Sequence, residues 1–223
     1  MPVVVALLRS IWASVRRGSL DDLRTAFSIT PRYGRDVRSG IAIYQPEDAA
    51  RVVGAVVERG FGVASHALGN AAIEVALGAY AAAGRHLSRG VAAVVQPSML
   101  EMHMAASAAR IPGLPFFPLR RLLDADVALV GSSDYPVHSF DPLVGIRAAV
   151  SRRNARGVVV DPEERITLDE AITMYTRRAA EVLGVGAETG TLTAGKRADV
   201  VVVEGLEDAA PRVVQTFVGA APV

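Results

Sequence analysis

An aspartate in GSSDYPV (131–137) and a histidine in FGVASHA (61–67) are the side chains of this sequence best placed to do chemistry. Asp134 follows the apolar run VALV (127–130), and His66 comes at the end of another apolar segment. A carboxylate just past an apolar run is either a turn residue or the working end of an active site. Both residues have plainer readings. Asp before Tyr-Pro suits a turn, because Asp can hydrogen-bond its own downstream backbone. A strand-end histidine can simply be satisfied by hydrogen bonds. Gln96, Ser132 and Ser133 occupy similar positions, so polar groups gather where apolar segments stop.

Composition removes several classes of function. The 223 residues suffice for one sizeable core, or for a domain and a small appendage. With no cysteine, disulfides, thiolate metal sites and cysteine nucleophiles are excluded. A cytoplasmic location is expected. A net charge of +1 gives no electrostatic argument for nucleic acid or an anionic membrane, and neither is expected as a partner. The arginine pairs at 16–17 and 120–121 and the run SRRNAR (151–156) read as solvated faces or carboxylate partners. Arg9 interrupts the apolar start, and the stretch 61–84 carries His66, Asn70 and Glu74, so neither reads as a membrane span. Met99, Met102 and Met104 around His103 read as core or loop rather than as a soft metal site.

The elements that must position these residues alternate. A buried strand or the start of a helix is expected at 2–8, a short helix at 21–27, loop at 29–40 and a further strand at 40–44. QPEDAARVVGAVVERG (45–60) has one apolar stripe, Pro46 in its first turn, and Glu47 and Asp48 at the positive end of the dipole. Strands are then expected at 61–67, 90–97 and 127–134, and helices at 71–84, 116–126, 141–154 and 167–184. Thr167 and Glu170 form a capping box. Strand–helix alternation with nearly all-apolar strands predicts an α/β domain with parallel strands buried on both faces. Ligands of such folds meet the carboxyl ends of the strands. The tail, 189–205 and 213–223, is β-rich.

HALGNAAIEVALGAY (66–80), QPSML (96–100), PLRRLLDADVALVGSSDYPV (118–137), DPLVGIRAAVSRR (141–153), ITLDEAITMYTRRAAEVLG (166–184) and GTLTAGKRADVVVVE (190–204) occur in that order. Together they resemble the amidohydrolase superfamily, in particular its family 3 branch with the N-substituted formamide deformylase-like enzymes. The resemblance implies a (β/α)8 barrel joined to a small β-sandwich. It further implies a small-molecule substrate and hydrolysis of its non-peptide C–N bond by metal-activated water at the carboxyl-terminal rim. The histidine of the family's HA-[IL]-G motif falls on His66, as a metal ligand. The aspartate of its G-S-D motif falls on Asp134, as metal ligand and proton carrier. Zinc is the expected metal, with iron, manganese or cobalt as alternatives.

The chain departs from the family pattern. Its four histidines, His66, His86, His103 and His138, form no His-x-His, and its single lysine, Lys196, lies in the tail motif AGKRAD. The Glu-His pair expected before the 90–97 strand is missing, although His86 stands nearby. A full barrel takes about 250 residues without a sandwich. The expectation is therefore a truncated or internally deleted member: a partial (β/α) barrel at 1–185 and a sandwich segment at 186–223. Two ligands are fewer than the three a hydrolytic zinc site keeps. A homo-oligomer or a complementing chain would supply the rest; alternatively the chain is a non-catalytic relic or a partner subunit.

Overall fold

The computed structural model of the chain describes residues 44–67, 70–83, 91–101, 116–208 and 210–223. The expected elements at 2–8, 21–27 and 29–40, all of 40–44 but Tyr44, and the residues His86, Met102, His103 and Met104 lie outside these. The chain divides into two compact units, 1–91 with 107–114, and 92–106 with 115–223.

In the first unit, α1 (Pro46–Val57) and α2 (Asn70–Ala83) pack through Val53, Val57, Ala79 and Ala83. The α1 stripe and Pro46 act as the sequence predicts, and Gly60 turns the chain at φ +80°. Residues 61–67, expected as a strand, pair with no strand among the described residues. Their apolar content is used sideways instead: Val63 packs on the helix pair, and the Tyr80 hydroxyl donates to Ser65 Oγ at 2.8 Å. A β-branched apolar run becomes a strand only where a neighbouring strand takes its amides.

The second unit is built around a parallel pair, β1 (Ala92–Val95) and β2 (Ala128–Gly131). β1 runs into a 3-10 turn, Pro97–Glu101, and α3 (Leu119–Asp124) precedes β2. α4 (Pro142–Ser151) follows β2, then a second 3-10 turn, Pro162–Glu164, and α5 (Leu168–Tyr175). Leu119, Leu129, Ile146, Ala149, Ile166, Ala171 and Met174 form the core over the sheet. A smaller cluster of Leu100, Ala148 and Val160 lies on the other side of α4. β2 is buried, but Val94 of β1 is exposed, so burial on both faces holds for only one strand of the pair.

The helix expected at 167–184 is two: α5 and α6 (Arg177–Leu183), broken at Thr176 with φ −124° and ψ −94°. The Thr176 hydroxyl donates back to the Ile172 carbonyl at 2.7 Å, a local bond that competes with continued helix. The α5 start is as expected. Thr167 Oγ1 accepts from the Glu170 amide at 3.2 Å, and the Glu170 carboxylate accepts from the Thr167 amide at 2.7 Å. Burial pushes the Glu170 carboxyl up, but the Thr167 bonds and Arg120, at 2.6 Å, more than offset this and leave it lowered. Its stabilisation is then fully present above the ordinary Glu value of about 4.3 and is lost as pH falls through the lowered folded value. Thr167→Ala should cost about 1 kcal/mol at neutral pH, and less in acid, by urea denaturation at pH 7 and pH 3.

In the tail, β3 (Val200–Glu204), β4 (Arg212–Val218) and β5 (Ala221–Pro222) make an antiparallel sheet, with a bulge between Val202 and Val203. Residues 189–199 are turns, clamped by Lys196, whose ammonium donates to the Gly186 carbonyl at 2.6 Å and the Thr189 carbonyl at 3.4 Å. The lysine of AGKRAD thus organises a turn. The α/β class holds, whereas the strands among the described residues form one parallel pair and one antiparallel sheet rather than a closed barrel.

Within the arginine run 151–156, Arg152 is fully buried and faces a carboxylate instead of solvent, the second of the two expected roles. It caps α4 in the left-handed conformation at φ +56°, and its guanidinium donates to the carbonyls of Val160 at 3.0 Å, Phe117 at 3.2 Å and Phe116. Asp161, also buried, lies 4.0 Å from it and accepts from the Phe116 amide at 2.7 Å. Buried Glu164 pairs with Arg121 Nε at 2.7 Å.

Candidate functional site

Parallel pairing of Ala92–Val95 with Ala128–Gly131 brings two strand carboxyl ends side by side. The Ser132 amide donates to the Val95 carbonyl at 2.8 Å, which extends the ladder one step past β2. From there β1 continues into Pro97–Glu101, while β2 leads through Ser132 and Ser133 toward the start of α4. A cavity of about 290 Å³ lies among these ends, lined by Ser98, Ser132, Ser133, Phe140, Asp141 and Tyr175. Its volume is at the lower edge of small-molecule pockets, about 300–1,000 Å³.

The polar lining is mostly neutral. Ser98 is only 1% exposed, and among the described residues its hydroxyl has no hydrogen-bond partner. An unmade bond at a buried hydroxyl costs about 1–3 kcal/mol. Ser132 Oγ accepts from the Asp134 amide at 3.4 Å. Asp141 caps α4, one carboxylate oxygen accepting from the Leu143 amide at 2.9 Å. Tyr175 ends α5 and lies against Gly131 of β2 and Gly145 of α4; a Cβ on Gly145 would stand 2.7 Å from its Cζ. Burial pushes its hydroxyl up to about 12. It is therefore a neutral O–H donor at any pH near 7.

Asp134 is exposed, one residue beyond this lining, and left-handed at φ +54°. Its carbonyl accepts from the Val137 amide at 2.8 Å, so its backbone makes the turn that the Asp-Tyr-Pro sequence suggests. Tyr135–Pro136 is a cis peptide bond, and the Tyr135 ring meets Phe140 edge-on at 5.5 Å. His66 is also exposed, and belongs to the other unit. Among the described residues no three His, Asp or Glu side chains come together to hold a metal ion. These residues therefore do not by themselves fit a hydrolytic metal centre, which keeps three protein ligands.

Sequence reasoning found Ser132 and Ser133 but missed Ser98, Asp141 and Tyr175. Ser98 was within reach, since QPSML follows a strand just as GSSD does. Tyr175 was not, because a tyrosine at a helix end reads as packing until the two glycines facing it are located.

A family model described as amidohydrolase family matches residues 17–219. The N-substituted formamide deformylase of Arthrobacter pascens is 31% identical over 172 residues, which cover 65% of this chain and 32% of that protein. Among solved structures, an uncharacterized metal-dependent hydrolase from Pyrococcus furiosus superposes with a TM-score of 0.55 at 27% identity, covering 72% of this chain and 37% of that one. Another, from Pyrococcus horikoshii, is alike in fold, with a TM-score of 0.59 at 23% identity. The chain thus spans about a third of the length of these relatives. Among the described residues no helix is long and apolar enough to cross a membrane.

Proposed function

The chain belongs to the amidohydrolase family, and from that membership we propose that it is part of a metal-dependent hydrolase acting on a non-peptide C–N bond of the amide or formamide type. The observation that carries this reading is the polar cavity at the shared carboxyl end of β1 and β2, where parallel α/β folds hold their ligands. In this reading β1 and β2 are two strands of a partial (β/α) barrel, and 186–223 is a segment of a small β-sandwich. Asp134 binds the metal and carries a proton, and His66 is a second ligand. The metal is a divalent cation, zinc by donor type. Its remaining ligands come from outside the described residues, from a second copy or from a complementing chain. The similarity to an N-substituted formamide deformylase supports formamides as the first substrates to try.

A second reading is favoured by the lack of a three-ligand cluster among the described residues: a non-catalytic partner subunit of such a barrel. Metal analysis of the purified chain, together with hydrolysis of an N-alkyl formamide, separates the two. A hydrolase should carry a stoichiometric divalent ion that chelator removes. Asp134→Ala and His66→Ala should each lose that ion and lower turnover by at least about a hundredfold, since metal stabilisation of the transition state is worth several kcal/mol. No ion and no turnover would sink the hydrolytic reading and leave the partner subunit.

A further inference from the structure

We propose that the outer edge of β3, Val200–Glu204, is the surface on which a second copy of this chain docks, strand against antiparallel strand across a two-fold axis at Val202. Docking there needs neither a metal nor the cavity, so it is independent of the hydrolytic reading. β3 is an edge strand in the order β3–β4–β5, and no strand among the described residues takes its outer amides and carbonyls. Native sheets blunt such an edge with lysine, proline, a bulge or an inward charge. β3 reads VVVVE, and its one charge, Glu204 at the end, is held by Arg212 of β4. The bulge between Val202 and Val203 leaves its extra residue, Val214, in β4, so β3 itself stays regular.

Exposure selects a strand as the occupant. Val201 and Val202 point to opposite faces of the sheet and are 54% and 44% exposed. A layer laid over one face would leave the other bare, whereas a strand added at the edge shields both. Charge and symmetry select a second copy. Across a two-fold axis at Val202 each Val201 faces a Val203, and each Glu204 faces a Val200. The two Glu204 carboxylates then stand about 14 Å apart, beyond the screening length of about 8 Å at physiological salt. A slip of one residue toward Asp199 would set Asp199 against Glu204, which like-charge repulsion disfavours. The opposite edge of the sheet offers no such surface. β4 is bulged there at Val214, and β5 is two residues long and contains Pro222, which has no N–H. One pairing edge per chain closes the assembly at a dimer.

Sedimentation of the full chain from about 1 to about 200 µM should show a monomer–dimer equilibrium with a micromolar Kd. Val202→Lys sets ammonium against ammonium at a half-exposed position and should weaken the dimer at least about a hundredfold, with unchanged far-UV circular dichroism. Val202→Ile should keep the dimer. Cross-linking gives a second readout, because the chain has no cysteine of its own. Opposite residues of an antiparallel pair lie about 4.5–5.5 Å apart at Cα, within disulfide reach. The Val202→Cys variant should therefore oxidise to a disulfide-linked dimer. Leu192→Cys, exposed but off the edge, should do so at least about tenfold more slowly. A monomer at the highest concentration, a dimer that folded Val202→Lys leaves intact, equal cross-linking at the two positions or growth past the dimer would overturn the proposal. So would a chain that stays monomeric and instead binds an added extended peptide, since the edge would then serve a foreign strand.

Discussion

Arg152→Met should destabilise the chain by about 3–5 kcal/mol, read as a fall in the urea midpoint at unchanged m-value. The side chain is fully buried and joins segments far apart in sequence. Its guanidinium donates to Phe116, Phe117 and Val160 carbonyls and faces Asp161 at 4.0 Å. Methionine fills much of the volume, so the cost is not chiefly a cavity. It comes from the Phe116, Phe117 and Val160 carbonyls left in a dry interior without their donor. The backbone adds to it. Phe117, Arg152 and Asp161 are all non-glycine residues in the left-handed region, with φ of +53°, +56° and +47°. Each such residue costs about 1–2 kcal/mol that surrounding bonds must hold in place. Arg152→Lys keeps the charge but not the planar fork, so it should recover only part of the loss. A drop below about 1 kcal/mol for Arg152→Met would mean that the network is ornamental.

That hub also shows where sequence reading stops. An arginine among SRRNAR reads as a solvated residue or a carboxylate partner, and two of the three carbonyls it binds lie 35 and 36 positions away. Local signals fared better where the physics is local. The Pro46 start and apolar stripe of α1, and the reciprocal Thr167–Glu170 bonds of α5, depend on residues within one or two helical turns. The break at Thr176 and the unpaired segment 61–67 depend on what stands beside them, and composition does not record neighbours. At the candidate site the same division holds. The strand ends and their serines were legible from alternating apolar and polar runs. The pairing of β1 with β2, which makes one cavity of Ser98, Ser132 and Ser133, was not.

Gly145→Ala should be destabilising by about 3 kcal/mol, against the sign that helix propensity predicts. Gly145 lies inside α4, where replacing glycine with alanine ordinarily gains up to about 1 kcal/mol. Here the added methyl would meet the Tyr175 hydroxyl and lie 2.7 Å from Cζ. Tyr175 has no easy retreat, because its ring also rests on Gly131, where a Cβ would enter the ring itself. Overpacking of this kind costs about 1–3 kcal/mol or more, enough to reverse the propensity term. The argument has a sharp check in the Tyr175→Ala background. With the ring gone, Gly145→Ala should become stabilising by about 0.5–1 kcal/mol, so the double-mutant cycle should show a coupling of at least about 3 kcal/mol. In the Tyr175→Phe background the clash with Cζ persists, and most of the penalty should remain. If Gly145→Ala is neutral with the tyrosine present, the two glycines are not what seats the ring between β2 and α4.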